Sequence, residues 1–255
     1  MKRGKGTTKG RNWVDLPRDV MIHIFSKLDT VEILSRAQFV CTTWQQVSQE
    51  RQLFRTIYLP DEEPEISRKG VAKILHEAVD RSCGELVEIF IGEPWCRNMF
   101  LNYVVRKSKS LRVLRLAMLA AISEDALMKA FKKLPLLEEF EMSNSVCDSC
   151  LLEELGRSCP QFKHLRLYKS SLGYKPSCKV LELNIAKYLP QLQGLSFTQM
   201  WISNTGLRAI LKRCSLLEDL DFRQCCTSGL KEDLQKKCLD KFRNFQPPRR
   251  VRLRR

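Results

Sequence analysis

The chain has 255 residues, 44% of them apolar, and a formal net charge of +15. That length suits one large domain or a small module joined to a larger one, and the apolar share suits a packed globular protein. No run of about 18 or more apolar residues occurs, so no membrane span is expected; Met1 to Asn12 puts no apolar stretch behind its charges, so no secretory signal is expected and a nuclear or cytoplasmic location is.

Residues 1–12 hold Lys2, Arg3, Lys5, Lys9 and Arg11 with no acid, and read as a basic, disordered tail. Residues 13–59 form the first module. Val20, Met21, Ile24, Phe25 and Leu28 fall on one helical stripe. Pro17 stands where a helix start tolerates it, because the first backbone N–H groups have no partner within the helix. Asp29 and Thr30 provide the next cap, with Glu32 in the following first turn. Ile33, Ala37, Val40, Trp44 and Val47 then predict a second helix, and Leu53, Phe54, Ile57 and Leu59 close a segment of three apolar helices. Such a unit has a very small core and needs a partner or a neighbouring domain.

Pro60-Asp-Glu-Glu-Pro64 cannot continue a helix, and residues 60–68 read as a linker. From 69 to 239 a repeat runs through the chain. Its fragments begin at Leu86, Leu111, Leu137, Phe162, Leu192 and Leu217, each apolar-x-x-apolar-x-apolar, at steps of 25, 26, 25, 30 and 25 residues. Helical stretches lie between them at Ser123–Lys133, Ser149–Ser158, Val180–Tyr188 and Asn204–Arg213. This period and pattern describe about six leucine-rich repeats, each a short strand and a helix stacked on its neighbours. Positions one, four and six of each strand point inward. Positions three, five and seven line the concave face. Candidate target-binding residues there are Phe90, Arg115, Glu139, Glu141, His164, Arg166, Tyr168, Asp219, Asp221 and Arg223.

After Gly229, a helix over Leu230–Cys238 has no strand expected behind it. Whether it caps the last repeat or marks a shortened relative of longer proteins is left open by the residues. Residues 240–255 read as a second basic tail, with seven cations and no acid from Lys241 onward. The two tails carry twelve of the fifteen net charges, so the body is near neutral. Solvated tails are the simplest reading, and nuclear import or loose polyanion contact is the other.

The eleven cysteines suggest reduced thiols packed in an interior, because nothing marks a secreted chain. Cys147-Asp-Ser-Cys150 is a lone CxxC without a second pair at finger spacing, so no metal is expected. His23, His76 and His164 are far apart, and no phosphate-binding glycine loop, HExxH or nucleophile elbow occurs. No catalytic residue and no cofactor is expected.

The first module resembles an F-box. The matching residues are Leu16-Pro17, Asp19-Val20, Ile24-Phe25, Leu28, Leu34 to Ala37, Val40-Cys41, Trp44, Leu53-Phe54 and Ile57. Phe54 stands where that family often has Trp and keeps an aromatic ring. The repeats resemble the cysteine-containing type of leucine-rich repeat, with Ser-Cys-Pro and Arg-Cys endings, and the whole chain resembles plant F-box/leucine-rich-repeat proteins. The resemblance implies an α/β fold: a three-helix F-box followed by a right-handed solenoid, with parallel strands on the concave face and helices on the convex face. It implies a substrate-recognition subunit of a Skp–cullin–F-box ubiquitin ligase. Leu16, Pro17, Val20, Ile24, Phe25, Leu28, Leu34, Val40, Cys41 and Trp44 would meet a Skp-type adaptor, and through it a cullin and RING ligase, while the concave face holds a target protein. The alternative is a nucleic-acid-associated or non-degradative scaffold protein acting through the basic tails and the repeat surface. The near-neutral body ranks nucleic acid low, and no membrane partner is expected.

Overall fold

A computed structural model describes residues 16–59, 68–92, 97–117, 122–143, 149–168, 179–243 and 245–250. The expected N-terminal tail, nearly all of the linker, Cys147 and the last five residues lie outside these.

Helix α1, Arg18–Phe25, starts behind Pro17, whose φ of −54° and ψ of 145° place it at the N-cap. Helix α2, Thr30–Ser35, opens on a reciprocal capping box: Asp29 Oδ1 accepts from the Glu32 amide at 2.7 Å, and Glu32 Oε2 accepts from the Asp29 amide at 3.0 Å. The long second helix expected from Ile33 to Val47 is interrupted. Arg36 leaves helical geometry at φ −132°, a single 3-10 turn covers Ala37–Phe39, and Cys41 is extended before α3, Thr42–Val47. The cause is local. The Gln38 side chain donates to the Leu34 carbonyl and Ser35 Oγ donates to the Val31 carbonyl at 2.6 Å, giving the terminal carbonyls of α2 partners that a continuing helix would otherwise supply.

Ile57 and Leu59 do not belong to a helix. Thr56–Leu59 is strand β1, with alternating exposed and buried residues. It pairs in parallel with β2, Glu88–Ile91, in the register Thr56↔Glu88. The sheet therefore has seven strands, one more than the six repeat fragments. It continues through β3 (Val113–Leu116), β4 (Glu139–Ser143), β5 (His164–Tyr168), β6 (Gly194–Thr198) and β7 (Asp219–Asp221), all parallel and in chain order. Helices α4 (Arg68–Arg81), α5 (Asn98–Lys107), α6 (Glu124–Phe131), α7 (Ser149–Ser158), α8 (Lys179–Tyr188) and α9 (Asn204–Arg213) connect consecutive strands. Leu86, Leu111, Leu137, Phe162, Leu192 and Leu217 are all buried, each just before its strand, and build one ladder. The core is continuous from Met21 and Phe25 through the repeats to Phe245.

The cysteines at the repeat boundaries pack as thiols. Cys214 Sγ donates to the Leu189 carbonyl at 3.5 Å, and Cys225 Sγ to the Phe197 carbonyl at 3.1 Å. Cys159 lies 3.4 Å from the Leu134 carbonyl, and burial pushes its thiol up to about 12. A thiol so protonated is a filler and weak donor, not a nucleophile.

The C-terminal end departs from the expected tail. Helix α10, Glu232–Lys241, is followed by a strand after all: β9, Arg249–Arg250, pairs in parallel with β8, Cys226–Thr227. Phe242 and Phe245 are buried. Phe245 packs edge-on to Phe222 at 6.3 Å, and Phe222 stacks on Phe197 at 5.5 Å. Phe242, Phe245 and the strand Arg249–Arg250 thus close the last repeat, which a solenoid end requires.

Candidate functional site

The N-terminal module leaves apolar side chains in solvent. Val20 is 39% exposed on α1, and Phe39 and Val40, in the turn between α2 and α3, are 74% and 62% exposed. Pro17 is exposed too, while Leu16, Ile24, Leu28, Cys41 and Trp44 are half-buried. A small cleft opens among Leu16, Met21, Ile24, Phe25 and Trp44. Helix α1 packs on α3, which also carries the 37–39 turn, so these residues sit on neighbouring elements. Arg18 Nε donates to Glu50 Oε1 at 3.1 Å and ties the start of α1 to the end of α3.

Two of the expected adaptor-binding residues are corrected. Phe25 and Leu34 are buried. Phe25 meets the Trp44 ring edge-on at 5.3 Å and holds α1 to α3; Leu34 belongs to the common core. Leu34 supports the surface from beneath, while Phe25 also borders the small cleft among Leu16, Ile24 and Trp44. Phe39, the most exposed aromatic among the module's described residues, was missed because it falls off the helical stripe, and an apolar residue off the stripe was the available signal.

The module is fixed to the repeats by a residue that periodicity did not single out. Arg81, at the end of α4, has a side chain only 11% exposed. Its guanidinium donates to the Ser48 carbonyl at 2.8 Å, to Ser48 Oγ at 3.3 Å and to Gln38 Oε1 at 2.8 Å, and pairs with Glu77. It also stands 5.7 Å from the Phe54 ring centre. One fork of donors thus ties the module to the solenoid, beside the β1–β2 pairing and the shared core.

The concave face changes character along the sheet. At the end nearest the module, Tyr58 of β1 stacks on Phe90 of β2 at 4.7 Å and 14° between planes. Tyr58 was missed because β1 was not read as a strand. Next comes a lattice of ion pairs. Arg115 reaches Glu88 at 2.5 Å, Glu139 at 3.0 Å and Glu141 at 3.5 Å, and Arg166 reaches Glu139 at 3.1 Å. The registers Glu88↔Val113↔Glu139↔His164 and Phe90↔Arg115↔Glu141↔Arg166 make these cross-strand neighbours. Burial pushes the Glu141 carboxyl above its ordinary range, against the pull of Arg115 and Arg166. Farther along, His164 leans across Gly194, where a Cβ would meet its Nδ1 at 2.2 Å. Tyr168 stands half-exposed at the far end of β5. Past β7, Arg223 folds back on Asp221 in a two-pronged pair, its Nε at 2.9 and 3.0 Å from the two oxygens, and this holds Asp221 below the ordinary carboxylate range. The face thus gathers all ten expected target-binding residues, in three zones rather than one site.

Among the described residues no group of three or more His, Cys, Asp and Glu is placed to hold a metal ion, and no helix is long and apolar enough to cross a membrane. The arrangement offers two surfaces for other macromolecules, an apolar one on the module and a polar one on the sheet.

A family model described as F-box-like matches residues 13–60. Three proteins of Arabidopsis thaliana are similar over nearly the whole chain. Putative F-box/LRR-repeat protein 23 is 34% identical over 94% of this chain and 54% of its own length. Putative F-box/LRR-repeat protein 22 is 33% identical over 97% of this chain and 80% of its own. F-box protein SKIP19 is 35% identical over 93% of this chain and 77% of its own. The chain therefore spans about half of the first relative and about four-fifths of the other two. Among solved structures, TLR13 in a complex with ssRNA13 overlaps 58% of this chain and 20% of its own, at TM-score 0.43 and 16% identity.

Proposed function

We propose, from the premise that the chain belongs to the F-box/leucine-rich-repeat protein family, that it is the target-recognition subunit of a Skp–cullin–F-box ubiquitin ligase. In this reading Pro17, Val20, Phe39 and Val40, with the half-buried Leu16, Ile24, Leu28, Cys41 and Trp44, dock on a Skp-type adaptor. The adaptor connects the chain to a cullin and RING ligase, and the concave face of β1–β7 holds a target protein for ubiquitination. The chain itself contributes no chemistry; it sets the distance and orientation between target and ligase.

The observation that carries the reading is the apolar surface on the F-box: large side chains left in solvent on a module whose inner face already shares one core with the repeats. Exposed aromatic and aliphatic anchors of this kind supply most of the energy of a protein interface. The part-buried Arg81 junction gives the second requirement, a defined geometry between the two surfaces.

The test is binding of the purified chain to a recombinant Skp-type adaptor, beside Phe39→Asp and Val20→Asp. Both positions are solvent-exposed, so the variants are expected to keep the fold and lose the complex. A folded wild type that fails to bind the adaptor, or variants that bind as well as it does, would overturn the reading. If the wild type failed, salt-dependent binding of a polyanion through Arg249–Arg250 and the residues after them would be the next measurement.

A further inference from the structure

The far end of the concave face is a built cleft of about 1060 Å³. One wall is β5, with His164 and Arg166. The floor is β6, whose concave positions here are the small Gly194 and Ser196, and beyond it β7 presents Asp219 and Asp221. The closing segment after α10, which contributes Arg243 and Phe245, forms the opposite wall. From β5 to β7 is two strand spacings, about 10 Å, the width of one extended polypeptide.

The charges in this cleft are not equivalent. Three guanidiniums stand on the concave positions of β2–β7 and just beyond, and each is committed: Arg115 to Glu88, Glu139 and Glu141, Arg166 to Glu139, Arg223 to Asp221. No lysine occupies these positions in a chain of net charge +15. Five carboxylates stand there, and of these Asp219 is the one without an ion-pair partner among the described residues; Glu218, beside it in the cleft lining, is also outside the ion pairs. The cap wall has the opposite sign, through Lys241 and Arg243.

We infer that the cleft over β6 takes an extended segment of the target in which one Lys or Arg side chain sits on Asp219, flanked by uncharged or acidic residues. The open carboxylate selects the cation. The cations of the cap disfavour a uniformly basic run. The small floor lets the segment's backbone approach the sheet, and a larger side chain at position 196 would fill that space. This assignment rests on the target-receptor reading above and names the chemistry of the segment recognised.

The experiment is selection from a library of random peptides displayed on phage, with the full chain bound to a recombinant Skp-type adaptor as bait. Enriched peptides are expected to share a single Lys or Arg between uncharged or acidic residues. Losing one charge-assisted contact, Asp219→Asn is expected to weaken them roughly tenfold. Ser196→Trp is expected to abolish their binding, with adaptor binding unchanged in both variants. Enrichment of uniformly basic or uniformly acidic peptides would overturn the proposal. So would peptides indifferent to both variants, or no enrichment by a chain that holds the adaptor. Peptides enriched as expected by a chain that fails to hold the adaptor would support the cleft and overturn the ligase reading instead.

Discussion

Glu182 lies on the buried stripe of α8 and is fully excluded from solvent. Its Oε1 accepts from the Ser203 amide at 3.0 Å, and Oε2 accepts from Ser203 Oγ, which caps α9. Burial pushes its carboxyl up to about 7, against the pull of those two donors. In the unfolded chain the same carboxyl titrates near 4.5. Between these values the folded protein holds a proton that the unfolded chain has released, so the stability Glu182 adds when neutral is lost as pH rises from about 4.5 through about 7. A gap of about 2.5 pH units corresponds to about 3 kcal/mol. Glu182→Gln removes the ionisation and keeps the shape. The two proteins should have similar stability near pH 5, while near pH 8 the variant should be more stable by about 2–3 kcal/mol, or about 5–10 °C in Tm. Thermal melts of both proteins across that range measure it. Glu138, Glu154 and Asp221 are shifted below their ordinary values and act at more acidic pH, outside this window. A variant with the wild-type pH profile, or one less stable near pH 8, would refute the reasoning.

Gly206 faces the same carboxyl, and a Cβ there would fall 1.9 Å from Glu182 Oε2 and 2.3 Å from its Cβ; Gly206→Ala should force α8 and α9 apart and cost about 1–3 kcal/mol, read by denaturant midpoint. Arg81→Ala should cost about 2–3 kcal/mol by stranding the Ser48 carbonyl and Gln38, and limited proteolysis should then cut within residues 16–55 before the repeats. Arg81→Lys should not restore it, because an ammonium cannot span both acceptors. If Phe39 is covered by the adaptor, its 74% exposure converts about 150 Å² of ring surface into at most about 4 kcal/mol; Phe39→Ala should weaken the complex by about 2–3 kcal/mol in calorimetry with an unchanged Tm. Alkylation followed by mass mapping should label the exposed Cys83 and Cys150 first and leave Cys159, Cys214 and Cys238 protected until unfolding.

The features legible in the residues were those that repeat or act locally. Six apolar fragments at near-equal steps predicted the strand ladder, because each unit must bury the same positions against the next. The capping box at Asp29 and Glu32 and the start at Pro17 involve residues at most three apart, so their spacing alone predicts them. Helical periodicity misled where burial came from elsewhere. Ile33, Ala37 and Val47 are buried on three separate pieces of backbone, while Val40, on the same arithmetic stripe, stands in solvent. Four residues of alternation at Thr56–Leu59 were too few to declare a strand until Glu88–Ile91 lay beside them.

By itself, then, the order of residues determined the α/β repeat, the inward ladder and the positions that face the concave side, since these follow from patterns of period two, period 3.6 and about 25 residues. Only the tertiary structure decided that Phe25 and Leu34 are core while Phe39 is surface. It alone placed Arg81 in the joint between the parts, turned Phe242 and Phe245 from tail into cap, and left Asp219 without an ion-pair partner among the described residues while Asp221 was paired. Each of these depends on groups brought together from distant parts of the chain, and the burial and charge pairing they create exist only once the repeats have stacked.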